Sequence, residues 1–208
     1  MYKKFGKRMI DVVLSAFGII LLLPVWIILT LAILINDPGP VIFKQKRIAQ
    51  NENGQIRFFQ IYKYRSMKMS TPKDTPTHLL ENPEQYITGV GKFLRKTSLD
   101  ELPQIFNIFL GQMSIVGPRP ALWNQDDLYA ERAKYGANDV KPGLTGWAQI
   151  NGRDELPIEE KARLDGEYVQ KQSLAFDVKC ILGTVMPVLK REGIVEGVTQ
   201  RDEDKVEK

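Results

Sequence analysis

The sequence predicts an α+β protein, in which an N-terminal re-entrant membrane helix precedes a small mixed domain with a β-hairpin and several helices, some lying on the membrane surface. Three observations predict it. Val12 to Ile35 is a run of 24 residues without a charge, interrupted by Pro24. Two β-like runs flank an Asn-Gly pair, a strong hairpin turn signal. Beyond Gly91, apolar residues recur at helical spacing. The chain divides into a basic N-terminus with a membrane helix-break-helix over 1–36, a mixed cytoplasmic domain over 37–199 and a charged flexible tail over 200–208.

Composition narrows the class. With 208 residues, 43% apolar and 26% charged, the chain holds one folded core and falls outside the disordered, collagen-like and disulfide-rich classes. The single Cys180 cannot close an intramolecular disulfide. A net charge of +4 suits nucleic acid, anionic lipid or a phosphorylated small molecule equally.

The uncharged run is preceded by Lys3, Lys4, Lys7 and Arg8 and ends in Asn36-Asp37-Pro38-Gly39. It is longer than the apolar core of a secretory signal and lacks a small-residue cleavage site, so it is expected to be retained. A straight helix of that length would reach about 36 Å, enough for a hydrocarbon core of about 30 Å. Pro24, however, removes a backbone hydrogen bond at the centre, leaving two arms of about 18 Å. Lys44, Lys46 and Arg47 follow closely, so cations flank both ends and the positive-inside rule favours both on the cytoplasmic side. A re-entrant bend satisfies both facts; a kinked single-pass anchor is the alternative.

Val41 to Ile48 and Gln55 to Met67 read as the hairpin strands. Phe59, Ile61, Lys63, Arg65 and Met67 share one face by the two-residue period, so Lys63 and Arg65 form either an anion site or a solvated basic edge. Ser70 to Gln85 reads as a surface loop that carries the only histidine, His78. Helical patterns cover Gly91 to Lys96, Gln104 to Phe109, Ala121 to Tyr135, Ile158 to Gln172 and Leu174 to Lys190. The second and last are apolar enough to be either core or interfacial helices.

The chemistry concentrates in Arg95-Lys96-Thr97-Ser98-Leu99-Asp100-Glu101-Leu102-Pro103-Gln104. Ser98 and Glu101 have capping-box spacing, and Asp100 as the cap would put Pro103 where its missing N–H costs nothing. Either way the acidic pair meets a helix N-terminus, which favours anions. In Gly117-Pro118-Arg119-Pro120 the prolines mount Arg119 stiffly, for a phosphate or for solvent. The Gly-rich stretch from Lys141 to Arg153 lacks the spacing of a nucleotide-binding fingerprint. Its Trp147, Gln149, Asn151 and Arg153 can meet a base, although Trp147 taken alone reads as core. One Cys and one His exclude a zinc cluster and a Ser-His-Asp triad. A carboxylate pair, scattered cations and an embedded segment point to phosphate chemistry at a membrane surface.

Lys7-Arg8-x-x-Asp11, the Pro24-broken helix, Tyr62 to Met67, Ser98 to Gln104, Met113 to Pro120 and Pro142 to Gln149 together resemble the bacterial sugar transferases, small monotopic phosphoglycosyl transferases. The likeness runs from residue 2 to about 193. It implies transfer of a sugar 1-phosphate from a UDP-sugar to undecaprenyl phosphate at the cytoplasmic face of the bacterial inner membrane, releasing UMP and starting a surface glycan. By that resemblance Asp100 is the nucleophile, Glu101 is catalytic as the ligand of Mg2+, and Lys63, Arg65, Arg95 and Arg119 contact phosphates. Gln149 and Arg153 are assigned to the uridine end. Relatives often carry Ser before the proline; Leu23 stands here and cannot hydrogen-bond the freed carbonyl. A membrane-bound nucleotide-sugar pyrophosphatase with water as acceptor is the alternative enzyme. No nucleic-acid partner is expected, because the cations form no continuous stripe.

Overall fold

The structure, a computed structural model, describes residues 2–52, 54–71, 83–152 and 155–190. After a π-helical turn over Tyr2–Gly6, the helices and strands run α1 (Lys7–Leu21), α2 (Leu23–Asn36), β1 (Ile42–Ile48), β2 (Phe58–Tyr64), α3 (Gly89–Thr97), α4 (Gln104–Phe109), β3 (Ser114–Val116), α5 (Asp126–Ala133), β4 (Gly143–Thr145), α6 (Trp147–Ile150), α7 (Ile158–Lys171) and α8 (Leu174–Lys190). Helix and strand are mixed, as the sequence predicts. His78 and the tail from 200 lie outside the described residues, as does most of the loop expected over Ser70 to Gln85.

The uncharged run breaks at Leu22, two residues before Pro24. α1 and α2 meet at 62°, and neither is long and apolar enough to cross a membrane alone. Pro24 sits in the first turn of α2, where its fixed φ suits a helix start. The polarity of α1 is inverted relative to a surface helix. Lys7, Asp11 and Ser15, one above another at four-residue spacing, are buried, whereas Val13, Phe17, Ile20 and Leu21 are exposed. α2 likewise exposes Leu23, Ile27, Ile28 and Leu31.

β1 and β2 pair antiparallel, with Phe43 opposite Lys63 and Lys44 opposite Tyr62. Phe59 and Ile61 are buried against Ile108 and Met113, which seats α4 on the hairpin. Asn107, fully buried, secures the seat: its Oδ1 accepts the Tyr62 N–H at 2.9 Å and its Nδ2 donates to Gln60 O at 2.8 Å. α3 is capped by Thr88 Oγ1, which accepts the Gly91 N–H at 2.9 Å. It packs with Tyr64, Leu29 and Ile33 in one core.

The C-terminal half packs around a parallel β3–β4 pair, in register Ser114 to Gly143 and Val116 to Thr145. The sequence gives no strand signal for these three-residue segments. Their closeness explains the glycines: a Cβ on Gly143 would lie 2.1 Å from Gly117 N, and one on Gly146 2.1 Å from Gly117 O. Val116, Tyr168 and Cys180 form the core here, with Trp147, Ile150 and Phe176 against it. α5 is shorter than the Ala121 to Tyr135 pattern because Gln125 turns back, its Oε1 accepting the Leu122 N–H at 2.7 Å. α4 and α8 are half core and half open. α4 buries Asn107 and Ile108 but exposes Phe106 and Phe109, with Leu110 exposed just after it, and α8 exposes Leu174, Val178, Leu182 and Val185.

Candidate active site

α3 ends in a left-handed residue, Ser98 (φ 56°), the single non-glycine residue with positive φ among the described residues. Such a conformation costs of order 1 kcal/mol for a residue with a Cβ. It turns the chain sharply into a 3-10 turn over Leu99–Glu101. Leu99 and Leu102 anchor that turn in the core beside Tyr64 and Leu94, which leaves Asp100 and Glu101 half-buried between them. Neither expected cap forms. The Ser98 side chain bonds no helix N–H, and Pro103 occupies the N-cap position of α4. The acidic pair therefore precedes the helix instead of capping it.

Glu101 Oε1 gathers two cations, accepting from Lys63 Nζ at 2.9 Å and from an Arg119 Nη at 3.3 Å. Arg95 completes the ring of charge, its Nε donating to Ser66 Oγ at 2.9 Å. Asp100 differs from its neighbour: among the described residues its carboxylate accepts no hydrogen bond and joins no ion pair. Burial pushes the Asp100 carboxyl above its usual range. Lys63 pulls it back down most strongly, Glu101 pushes it further up, and Arg95 and Arg119 pull it down. The site thus holds one carboxylate already neutralised and one surrounded by positive charge yet unbonded.

Arg119 is mounted from behind. Its carbonyl accepts from Arg132 Nη1 at 3.0 Å, and Arg132 is paired with Asp165 at 2.6 Å, both groups buried. Arg47 Nη1 donates to Pro120 O at 2.9 Å, and Gly143 N–H bonds Pro118 O at 2.8 Å. Lys63 is fixed through β2, which Asn107 ties to α4.

The remaining predicted site residues divide differently. β2 ends at Tyr64, so strand alternation no longer governs Arg65. Its buried guanidinium turns to Asp37, with Nη2 donating to Asp37 O and Nη1 3.5 Å from Asp37 Oδ2. It closes the segment after α2, and the groups acting on Asp100 do not include it. Gln149 Nε2 donates to Leu144 O at 2.9 Å, bracing the Gly-rich turn. Asn151 bonds Trp147 O. Trp147 is core: its Nε1 donates to Glu167 and its ring lies 4.9 Å from that of Phe176. Arg153 lies outside the described residues.

Residues that sequence reasoning left without a local role tie α1 to the rest of the fold. Lys7 pairs with Asp177 at 2.6 Å. Asp11 Oδ1 accepts from Ile115 N and Ser114 Oγ at 3.0 and 3.1 Å. Arg8 donates to Ile108 O and Phe109 O at 2.6 and 2.7 Å, satisfying the C-terminal carbonyls of α4. The four-residue spacing of Lys7, Asp11 and Ser15 on an otherwise apolar helix was the available signal.

The model of the bacterial sugar transferase family matches residues 2–191. The chain is 40% identical over 186 residues to the UDP-glucose:undecaprenyl-phosphate glucose-1-phosphate transferase of Escherichia coli (strain K12), spanning 86% of this chain and 39% of that protein. It is 34% identical over 204 residues to the undecaprenyl-phosphate galactose phosphotransferase of Salmonella typhimurium, spanning 91% of this chain and 42% of that protein. The uncharacterized sugar transferase EpsL of Bacillus subtilis (strain 168) is 39% identical over 189 residues, 90% of this chain and 89% of EpsL. The chain spans about two fifths of the length of the first two relatives and nearly all of EpsL. With its whole acidic turn, cation ring and broken helix inside the matched region, the chain belongs to the bacterial sugar transferase family.

Proposed function

We propose that the protein transfers a sugar 1-phosphate from a UDP-sugar to undecaprenyl phosphate, yielding UMP and a polyprenyl-diphosphate-sugar that initiates a surface glycan. The observation that carries this reading is the unbonded Asp100 carboxylate among Lys63, Arg95 and Arg119. An Asp100 oxygen bonds the sugar-bearing phosphorus as the bridge to UMP breaks, and UMP leaves with the electron pair. A lipid phosphate oxygen then attacks the aspartyl phosphosugar and restores the carboxylate. Splitting one displacement into two gives ping-pong kinetics. Lys63, Arg95 and Arg119 offset the phosphate charge, the main service an enzyme gives phosphoryl transfer. The names of the E. coli and Salmonella relatives, which specify undecaprenyl phosphate and a sugar phosphate, support the same assignment.

Mg2+ suits the donor set. Among the described residues no cluster of three ligating side chains forms, and Mg2+ commonly takes one or two carboxylates together with substrate phosphates. Glu101 would hold it, and the ion would neutralise the diphosphate.

The inverted polarity of α1 supports membrane insertion. A helix that buries Lys7, Asp11 and Ser15 while exposing Phe17, Ile20 and Leu21 is stable where its surroundings are hydrocarbon. With the 62° bend, residues 1–36 enter and leave one leaflet of the bacterial inner membrane. The exposed apolar faces of α4 and α8 lie on its cytoplasmic surface.

The test is incubation of the purified protein with Mg2+ and a panel of UDP-sugars, first without acceptor. One donor is expected to yield a stoichiometric burst of UMP and an intact-mass increase of one phosphosugar, both abolished in Asp100→Asn. Adding undecaprenyl phosphate should clear the adduct and restore continuous UMP release. Multiple turnovers to free sugar phosphate without lipid would establish a hydrolase instead.

A further inference from the structure

Pro24 has no N–H to donate, so the backbone ladder alone does not fix the angle between α1 and α2. At the break, the Trp26 indole Nε1 donates to Ile19 O at 3.2 Å. This bond runs from the first turn of α2 to the last turn of α1, with the Trp26 N–H bonding Leu22 O at 2.9 Å alongside it. The same indole faces the catalytic half. Its ring lies 5.8 Å from that of Tyr64 and 5.3 Å from that of Phe106, and Tyr64 Oη donates to Trp26 O at 3.4 Å. Tyr64 directly follows Lys63, one of the cations on Glu101. Phe106 lies in α4, whose chain begins just after Glu101.

We propose that Trp26 is a positioning residue. Its indole holds the 62° bend and ties that bend to β2, which carries Lys63, and to α4, which follows the turn of Asp100 and Glu101, and so sets the depth at which Asp100 meets a membrane-embedded phosphate. The inference rests on the transfer reading and concerns its second half. A UDP-sugar arrives from water and is indifferent to depth, whereas the phosphate of an anchored lipid is confined to one plane.

Trp26→Phe keeps an aromatic ring against Tyr64 and Phe106 and removes the N–H. In nanodiscs its UMP burst and phosphosugar adduct should stay within about twofold of the unmodified protein. Its turnover on undecaprenyl phosphate should fall about fivefold, the scale set by one lost hydrogen bond, and the defect should vanish with a water-soluble short-chain polyprenol phosphate. The proposal is overturned if burst and turnover fall together, or if turnover is unchanged. Absence of a burst in the unmodified protein would instead remove the transfer reading itself.

Discussion

Two aspartates sit among positive and polar groups in this protein, and they end in opposite states. Asp177, 5% exposed, is fully engaged: Oδ2 accepts from Tyr2 Oη at 2.5 Å and Lys7 Nζ at 2.6 Å, and Oδ1 from Tyr168 Oη at 2.9 Å. Asp100 has cations around it and no hydrogen bond among the described residues, because Glu101 takes Lys63 and Arg119 directly. A carboxylate neutralised by contact is a rivet. One held in a positive field with its lone pairs unspent has no partner to lose, and burial raises the energy of its charged form.

The sharpest way to break the comparison is to remove each carboxylate. Asp100→Asn is expected to reduce UMP release by about 10^4-fold, the scale seen when a catalytic group is deleted, without lowering the melting temperature. The sign follows from linkage. A carboxyl whose folded pKa is raised favours folding below its ordinary value of 3.8, and that contribution is lost as pH rises through the folded value. The amide has no such loss at pH 7, and scanning calorimetry should show equal or greater stability. A marked fall would make Asp100 structural.

Asp177→Asn should do the reverse. It strands Lys7 in a buried position and should cost about 3 to 5 kcal/mol by denaturant titration. Below the new melting point the UMP burst per folded molecule should persist.

Asn107→Leu should cost about 1 to 3 kcal/mol by leaving the Tyr62 N–H and Gln60 O without partners. It loosens α4 from β2, so the burst rate should also slow; an unchanged rate would show that Lys63 and Glu101 need no such brace.

For Asp100 itself, the acid limb of the burst rate should fall at a pH above 3.8, because the proton that burial helps retain must leave before attack. A limb at or below the ordinary value would contradict the buried geometry. The smallest effect concerns Cys180, whose thiol burial and Asp177 push up to about 11. Alkylation at pH 8 should be slow in the native protein and faster in Asp177→Asn.

Much of this was legible along the chain, because it depends on neighbours in sequence. Pro24 in an uncharged run announces a bend, and the hairpin and the helices Gln104–Phe109 and Leu174–Lys190 follow from local pattern. Lys63, Arg95, Asp100, Glu101 and Arg119 stood out along the chain by residue type, and the structure brings them together. What pattern did not carry was which group takes which partner. Arg65 shares a strand face with Lys63 on paper, yet goes to Asp37, 28 residues away. The Gly-rich stretch resembles a ligand loop and instead lets two backbones touch at Gly117 and Gly143.

The sequence by itself determined the broken apolar helix, the mixed fold and the acidic pair with its cations, since these are set by side-chain type and short-range backbone sterics. Only the tertiary structure decided that Glu101 absorbs two cations so that Asp100 stays unbonded, that Lys7 reaches Asp177 across 170 residues, and that Trp26 closes the bend Leu23 leaves open. Each of those is a choice among several chemically equal partners, and packing alone makes it.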